Sequence, residues 1–213
     1  PVWRDPFIFN YNEFRVITMG LPSSGGIVLS QILKSFKFLN THEIINSEYQ
    51  YVKSLIELEK LSYADRSYYL GDPDFIKQNF IDSIVSDEYL KKRFSEINFI
   101  KPNKSSEIKH GDIKLHESKE TTHYSITDSY GNAVSVTTTL NSNFGSKLIS
   151  PTLGYFYNNE MDDFSIKPGV PNIYGLIGGI NNSIYPEKRM LSSMTPTIIE
   201  KNNELFMILG SPG

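Results

Sequence analysis

The chain has 213 residues, 39% of them hydrophobic and 21% charged, with 13 Tyr and 13 Phe; this excludes disorder and fibrous repeats and permits a core that buries roughly 70% of the unfolded surface. Lys plus Arg number 21 against 24 Asp plus Glu, a formal charge of -3, which leaves no basic footprint for a nucleic-acid backbone. The absence of cysteine excludes disulfide frameworks, thiolate zinc sites and a Cys nucleophile, leaves either redox compartment open, and no apolar run approaches the about 18 residues of a membrane span.

The first residues, Pro1 to Pro6, lack the basic start and apolar stretch of a signal peptide. Pro1 stands where an initiator Met would, and Gly210-Ser211-Pro212-Gly213 follows a strand-like run directly, so both ends are expected to be cut from something longer. Met19 to Gly26 is turn-rich, and Ile27, Val28, Leu29, Ile32, Leu33 and Phe36 follow at helical spacing. Between His42 and Tyr69 the apolar positions Ile45, Tyr49, Val52, Ile56 and Leu61 predict a second amphipathic helix, which Asp72-Pro73-Asp74 ends. A third helix is expected from Ile81 to Phe94. Ile97 to Lys119, rich in charge and turn residues, reads as an exposed connection.

After Glu120 the apolar period becomes two. Tyr124 to Thr127 and Ala133 to Leu140 flank the turn Asp128 to Asn132 and predict a hairpin. A second hairpin is expected from Thr195 to Ile199 and Leu205 to Leu209 around Lys201 to Glu204. Between them, Pro168 to Pro186 is rich in Gly, Pro and Asn, and loops of that length are usually functional lids or disordered. The chain contains no internal repeat.

Glu120-Thr121-Thr122-His123-Tyr124-Ser125 stands where the exposed connection meets a strand, and locally Thr121 is no more than a β-former. Ser23-Ser24-Gly25-Gly26 precedes a helix but lacks the Lys and spacing of a phosphate-binding loop. Glu160 and Asp163, three apart, could lie on one side of a turn and hold a cation, or be solvated loop carboxylates; no His lies near enough to suggest a metal site. Ser192 and Ser193 are donors at a turn.

Taken together, Pro22 to Gly26, Tyr63-Ala64-Asp65-Arg66-Ser67 with Leu70 to Phe75, Thr121 to Ser125, Asn158 to Phe164, Lys167 to Asn172, Leu191 to Met194 and Gly210 to Gly213 resemble, in order and spacing, the gamma-glutamyltranspeptidase family over essentially the whole chain. The resemblance implies an α+β fold, the four-layer αββα sandwich of the N-terminal-nucleophile hydrolases, incomplete at both ends. It implies a single structural domain made as a precursor that cuts itself between Glu120 and Thr121. Residues 1–120 would then be the C-terminal part of a large, mainly helical subunit, with 97–120 the exposed connection. Residues 121–213 would begin a small, mainly β subunit carrying a lid loop at 168–179, and the two would stay together as a heterodimer.

The resemblance makes Thr121 the nucleophile. A freed α-amine, with a pKa of about 7.7 to 8.0, would be its base. It places Thr139, otherwise a strand Thr, against that hydroxyl, and Gly213 in an oxyanion hole whose second glycine lies beyond this chain. Asn141 would contact the amino-acid end of the substrate, sharing a strand face with Thr139. Glu160 and Asp163 would bind the substrate's α-ammonium, and Ser192 and Ser193 its α-carboxylate. The family's main carboxylate-binding Arg lies upstream of Pro1, and Tyr174 matches the lid position that screens the nucleophile.

The implied activity is hydrolysis and transfer of the γ-glutamyl group of glutathione and related compounds, with water or an amino acid as acceptor and no metal or organic cofactor. Alternatives are a related amidohydrolase for poly-γ-glutamate or cephalosporin side chains, and a non-catalytic fragment. The implied location is the periplasm first, or secretion, with no membrane insertion and no nucleic-acid partner.

Overall fold

The computed structural model describes residues 2–39, 47–77, 79–95, 97, 104, 108, 121–171 and 177–212. Two short strands open the fold: β1 (Phe7–Tyr11) and β2 (Phe14–Thr18) pair antiparallel from Phe7 opposite Thr18 to Tyr11 opposite Phe14. Asn12, in the left-handed region at φ 52°, makes the turn, a conformation Asn tolerates better than most side chains. Phe9 and Val16, directly opposite, are the buried pair of this hairpin. It lies ahead of the first helix, where the sequence reading assigns nothing.

The helices follow: α1 (Gly25–Ser35), a 3-10 turn at Phe36–Phe38, α2 (Glu48–Tyr69), α3 (Asn79–Ile84) and α4 (Asp87–Phe94). Ser47 starts α2 by accepting the Gln50 amide at 3.3 Å, a standard N-cap. The expected inward stripe of α2 is corrected, for Tyr49, Val52 and Ile56 are exposed, and Ile45 lies outside the described residues. The buried face holds Leu58, Leu61 and Ala64 but also Ser54, Glu57, Asp65 and Arg66. Apolar periodicity misses a face on which Asp65 and Arg66 are buried with hydrogen-bond partners. The single helix expected from Ile81 to Phe94 is two, broken at Ser86, whose hydroxyl accepts the Tyr89 amide at 3.3 Å and caps α4.

β3 (Thr121–Thr127) and β4 (Ala133–Thr139) form the expected hairpin, in register from Thr121 opposite Thr139 to Thr127 opposite Ala133. β5 (Thr197–Lys201) and β6 (Glu204–Leu209) form the second, turned by Asn202 and Asn203 at φ 55° and 62°. β5 also pairs with β2, giving a four-stranded antiparallel sheet in the order β1-β2-β5-β6. The segment ahead of Thr121 is therefore not purely helical, because it supplies half of this sheet.

Ser135 of β4 joins the two sheets, donating to the Leu209 carbonyl at 3.2 Å and accepting the Thr197 amide at 3.1 Å. Leu21, Ile27, Leu70, Ile84 and Leu191 form one core cluster and Leu39, Leu58, Leu61 and Ile97 another. Each such side chain contributes about 1.5–3 kcal/mol relative to exposure. Ile97, expected to begin an exposed connection, is instead buried, and Ile108 packs on the same cluster. The rest of that connection, but for Lys104, lies outside the described residues.

Candidate active site

Thr121 is the first residue of β3, and the segment after β6 runs alongside it. Its amide donates to the Pro212 carbonyl at 2.7 Å, and its Oγ1 donates to the Ser211 carbonyl at 3.4 Å. A Cβ at Gly210 would meet the His123 ring, so any side chain there would require that imidazole to move. Residues on opposing strands that face one another share a sheet face, and the register puts Thr139 directly across from Thr121. His123, two residues along β3, sits at 2.8 Å from Thr137 Oγ1 and 3.1 Å from Ser125 Oγ.

β4 ends at Thr139 rather than Leu140, and the chain turns through Asn141 at φ 75°. Strand alternation therefore does not carry Asn141 onto the Thr139 face, as expected. It is linked to Thr139 through hydrogen bonds instead. Its amide donates to Thr139 Oγ1 at 2.9 Å, and its buried side chain donates to the Asn159 carbonyl at 3.2 Å. The Asn159 amide donates to the Leu140 carbonyl at 3.1 Å and its Oδ1 accepts the Ser142 amide at 2.9 Å. These bonds lead straight to the acidic turn.

Glu160–Asp163 is a single 3-10 turn, in which positions three apart eclipse, so both carboxylates lie on one side. Burial pushes the Asp163 carboxyl up to about 7, with the Glu160 charge adding to it and Arg66 opposing. Burial also raises Glu160. Asn182 anchors the turn by donating to the Asp163 carbonyl at 2.7 Å, and its Oδ1 accepts the Leu191 amide at 3.0 Å, tying the turn to the loop that carries Ser192 and Ser193.

That loop lies against residues 22–24. The Ser192 amide donates to the Pro22 carbonyl at 2.9 Å, the Ser24 amide returns to the Ser192 carbonyl at 2.9 Å, and Ser23 Oγ donates to the Met194 carbonyl at 2.6 Å. A Cβ on Gly25 would approach the Ser193 and Met194 carbonyls within 2.7 and 2.9 Å. At the centre is Arg66 from α2, fully buried, whose Nε donates to Ser24 Oγ at 2.8 Å and whose Nη2 donates to Ser193 Oγ at 3.0 Å. Sequence reasoning passed over Arg66 as a site residue. Its signal was an Asp-Arg pair between apolar helical positions, at Ala64-Asp65-Arg66.

The structure thus brings Thr121, Thr139 and Asn141 together at the end of one hairpin, and Asp163, Ser192 and Ser193 near Arg66, with Glu160 on the same turn as Asp163 and Asn159 leading from Asn141 to that turn. Glu120, Tyr174 and Gly213 lie outside the described residues. Among the described residues, no three His, Asp or Glu side chains are grouped to hold a metal. A cavity of about 490 Å³ bordered by Arg4, Met19, Leu21, Ser135 and Arg189 contains none of the site residues.

A family model described as gamma-glutamyltranspeptidase matches residues 1–213. The chain is 44% identical over 212 residues to a glutathione hydrolase proenzyme of Escherichia coli, covering 100% of this chain and 36% of that protein. It is 41% identical over 213 residues to the one from Pseudomonas aeruginosa, covering 99% of this chain and 37% of that protein. The chain therefore spans little more than a third of the length of these curated relatives. Among solved structures it is similar to cephalosporin acylase from Bacillus halodurans, with a TM-score of 0.74 over 98% of this chain and 34% of that one; at 22% identity this likeness bears on the α+β fold. With a match over its full length and relatives above 40% identity, the chain belongs to the gamma-glutamyltranspeptidase family.

Proposed function

We propose that the protein is a γ-glutamyl hydrolase and transferase that first cleaves itself between Glu120 and Thr121. The observation that carries this is the placement of Thr121 at a strand start, facing Thr139 and flanked by the carbonyls of Ser211 and Pro212, in a chain whose relatives bear the name glutathione hydrolase proenzyme. In self-cleavage the Thr121 hydroxyl adds to the Glu120 carbonyl, the C–N bond breaks, and water opens the resulting ester to leave Thr121 with a free α-amine.

In turnover that amine takes the Thr121 hydroxyl proton as Oγ1 adds to the γ-carbonyl of glutathione or a related compound. The oxyanion draws on backbone N–H donors, the Gly213 amide among them, a donor typically contributing about 2.7–4 kcal/mol. Collapse expels the amine, which takes the proton from the α-ammonium of Thr121, and leaves a γ-glutamyl ester. Water or the amine of an amino acid, deprotonated by the same group, then opens it. The Asn141 amide, donating to Thr139 Oγ1, supports a role for Thr139 in orienting the nucleophile's hydroxyl. Glu160 and Asp163 are the acceptors for the substrate's α-ammonium, with Asn141 beside them, and Ser192 and Ser193 are donors to its α-carboxylate.

In this reading the fold is the four-layer αββα sandwich, the cut fragments remain a heterodimer, and the location is periplasmic or secreted. The second reading is a related amidohydrolase with a different acyl group, to which the acylase-like fold is compatible; the paired acids argue for an amino-acid-shaped group. The test is the intact mass of the denatured protein after incubation at neutral pH, beside Thr121→Ala. Two fragments meeting between Glu120 and Thr121, absent from the variant, are expected. An uncut chain in both samples refutes the proposal. Release of an anilide from its γ-glutamyl but not its glutaryl derivative selects the first reading over the second.

A further inference from the structure

We infer that Arg66 is a positioning residue for the α-carboxylate of the substrate, acting through the Ser193 hydroxyl; this rests on the γ-glutamyl reading of the site. A serine hydroxyl has one proton to give. Ser193 Oγ accepts from Arg66 Nη2 at 3.0 Å, so its own proton must point elsewhere. Among the described residues no acceptor receives it, which leaves it to an incoming anionic oxygen. Ser24 shows the same logic completed, since its Oγ accepts from Arg66 Nε and donates to the Ser192 carbonyl at 2.8 Å.

One buried guanidinium therefore sets the polarity of the Ser193 hydroxyl and, through Ser24, the position of the Ser192 backbone. The fork geometry of arginine matters here, because Nε and Nη2 address two hydroxyls on different loops at once, which a lysine cannot reproduce. The buried positive charge also favours an anion at the far side of Ser193.

The test compares γ-glutamyl anilide with 4-aminobutanoyl anilide, which keeps the amine and the scissile bond but lacks the α-carboxylate. For Arg66→Gln the expected result is a rise in KM for γ-glutamyl anilide of tenfold or more with a smaller change in kcat. The ratio of kcat/KM between the two anilides should fall about tenfold. Arg66→Lys, keeping the charge and one hydrogen bond, should recover part of that ratio, and it serves as the readout if Arg66→Gln does not fold. An equal loss on both anilides in either variant would assign Arg66 to structure alone and overturn the inference, as would an unchanged ratio. A wild-type protein inert toward both anilides would overturn the γ-glutamyl reading, and this assignment with it.

Discussion

At the scale of the residue, Asp163 is the group whose charge is most finely balanced. Its carboxyl is held near 7 by burial, with Glu160 beside it and Arg66 opposing. Without ligand, folding binds a proton between the ordinary value of 3.8 and about 7. The stability present at acid pH is therefore lost as pH rises through that window. An α-ammonium needs the carboxylate, so ligand binding has the opposite sign. KM for γ-glutamyl anilide should fall as pH rises through about 7, and Asp163→Asn should flatten both the KM profile and the acid-side dependence of thermal stability. A KM profile identical in the variant would show that Asp163 does not meet the ammonium. Gly25 is a second residue-scale constraint, since a methyl there would press on the Ser193 and Met194 carbonyls at 2.7 and 2.9 Å. Gly25→Ala is expected to cost about 1–3 kcal/mol in urea unfolding, as overpacking does.

At the scale of the element, α2 does two jobs with adjacent residues. Arg66 reaches the Ser192–Ser193 loop, while Asp65, one position earlier, accepts from Arg93 of α4 at 2.8 Å and from Gln31 of α1 at 3.1 Å. The pair locks three helices behind the site. Burial raises the Asp65 carboxyl despite Arg93, so the ion pair chiefly offsets its own desolvation. Removing one partner is then worse than removing both. Arg93→Met should lower stability by about 3–5 kcal/mol, and adding Asp65→Leu should restore much of the loss. Equal stability of Arg93→Met and wild type in denaturant titration would contradict this account. The hydroxyl of Ser86 matters at this scale too, because it splits the expected third helix and turns α4 so that Arg93 meets α2.

At the scale of the molecule, the central feature is that β2 pairs with β5 along their whole length, from Phe14 opposite Lys201 to Thr18 opposite Thr197. Strands on either side of the proposed cut share one sheet. Cleavage before Thr121 would break one peptide bond and leave these backbone hydrogen bonds in place. The two fragments should therefore co-elute on native size exclusion and separate only in denaturant. Separate native elution after cleavage would refute a heterodimer held by this sheet. No helix among the described residues is long and apolar enough to cross a membrane.

The sequence by itself determined the β3–β4 and β5–β6 hairpins, whose alternation and Asn-rich or Gly-containing turns are local signals. It also determined the family, through blocks such as Thr121 to Ser125 and Asn158 to Phe164, and with it the candidate residues. Local signals failed where burial is polar. Tyr49, Val52 and Ile56 look like a core stripe yet face outward, because the inward face of α2 spends its positions on Glu57, Asp65 and Arg66. Arg66 in particular becomes meaningful only when α2, the 22–24 loop and the 192–194 loop, up to 171 residues apart in sequence, meet around it. Only the tertiary structure could decide that, since hydrogen-bond partners distant in sequence leave no periodicity in any one segment. The same holds for the sheet that joins β2 to β5. Strand pairing across such a separation is chosen by packing and loop closure, not by the propensity of either strand.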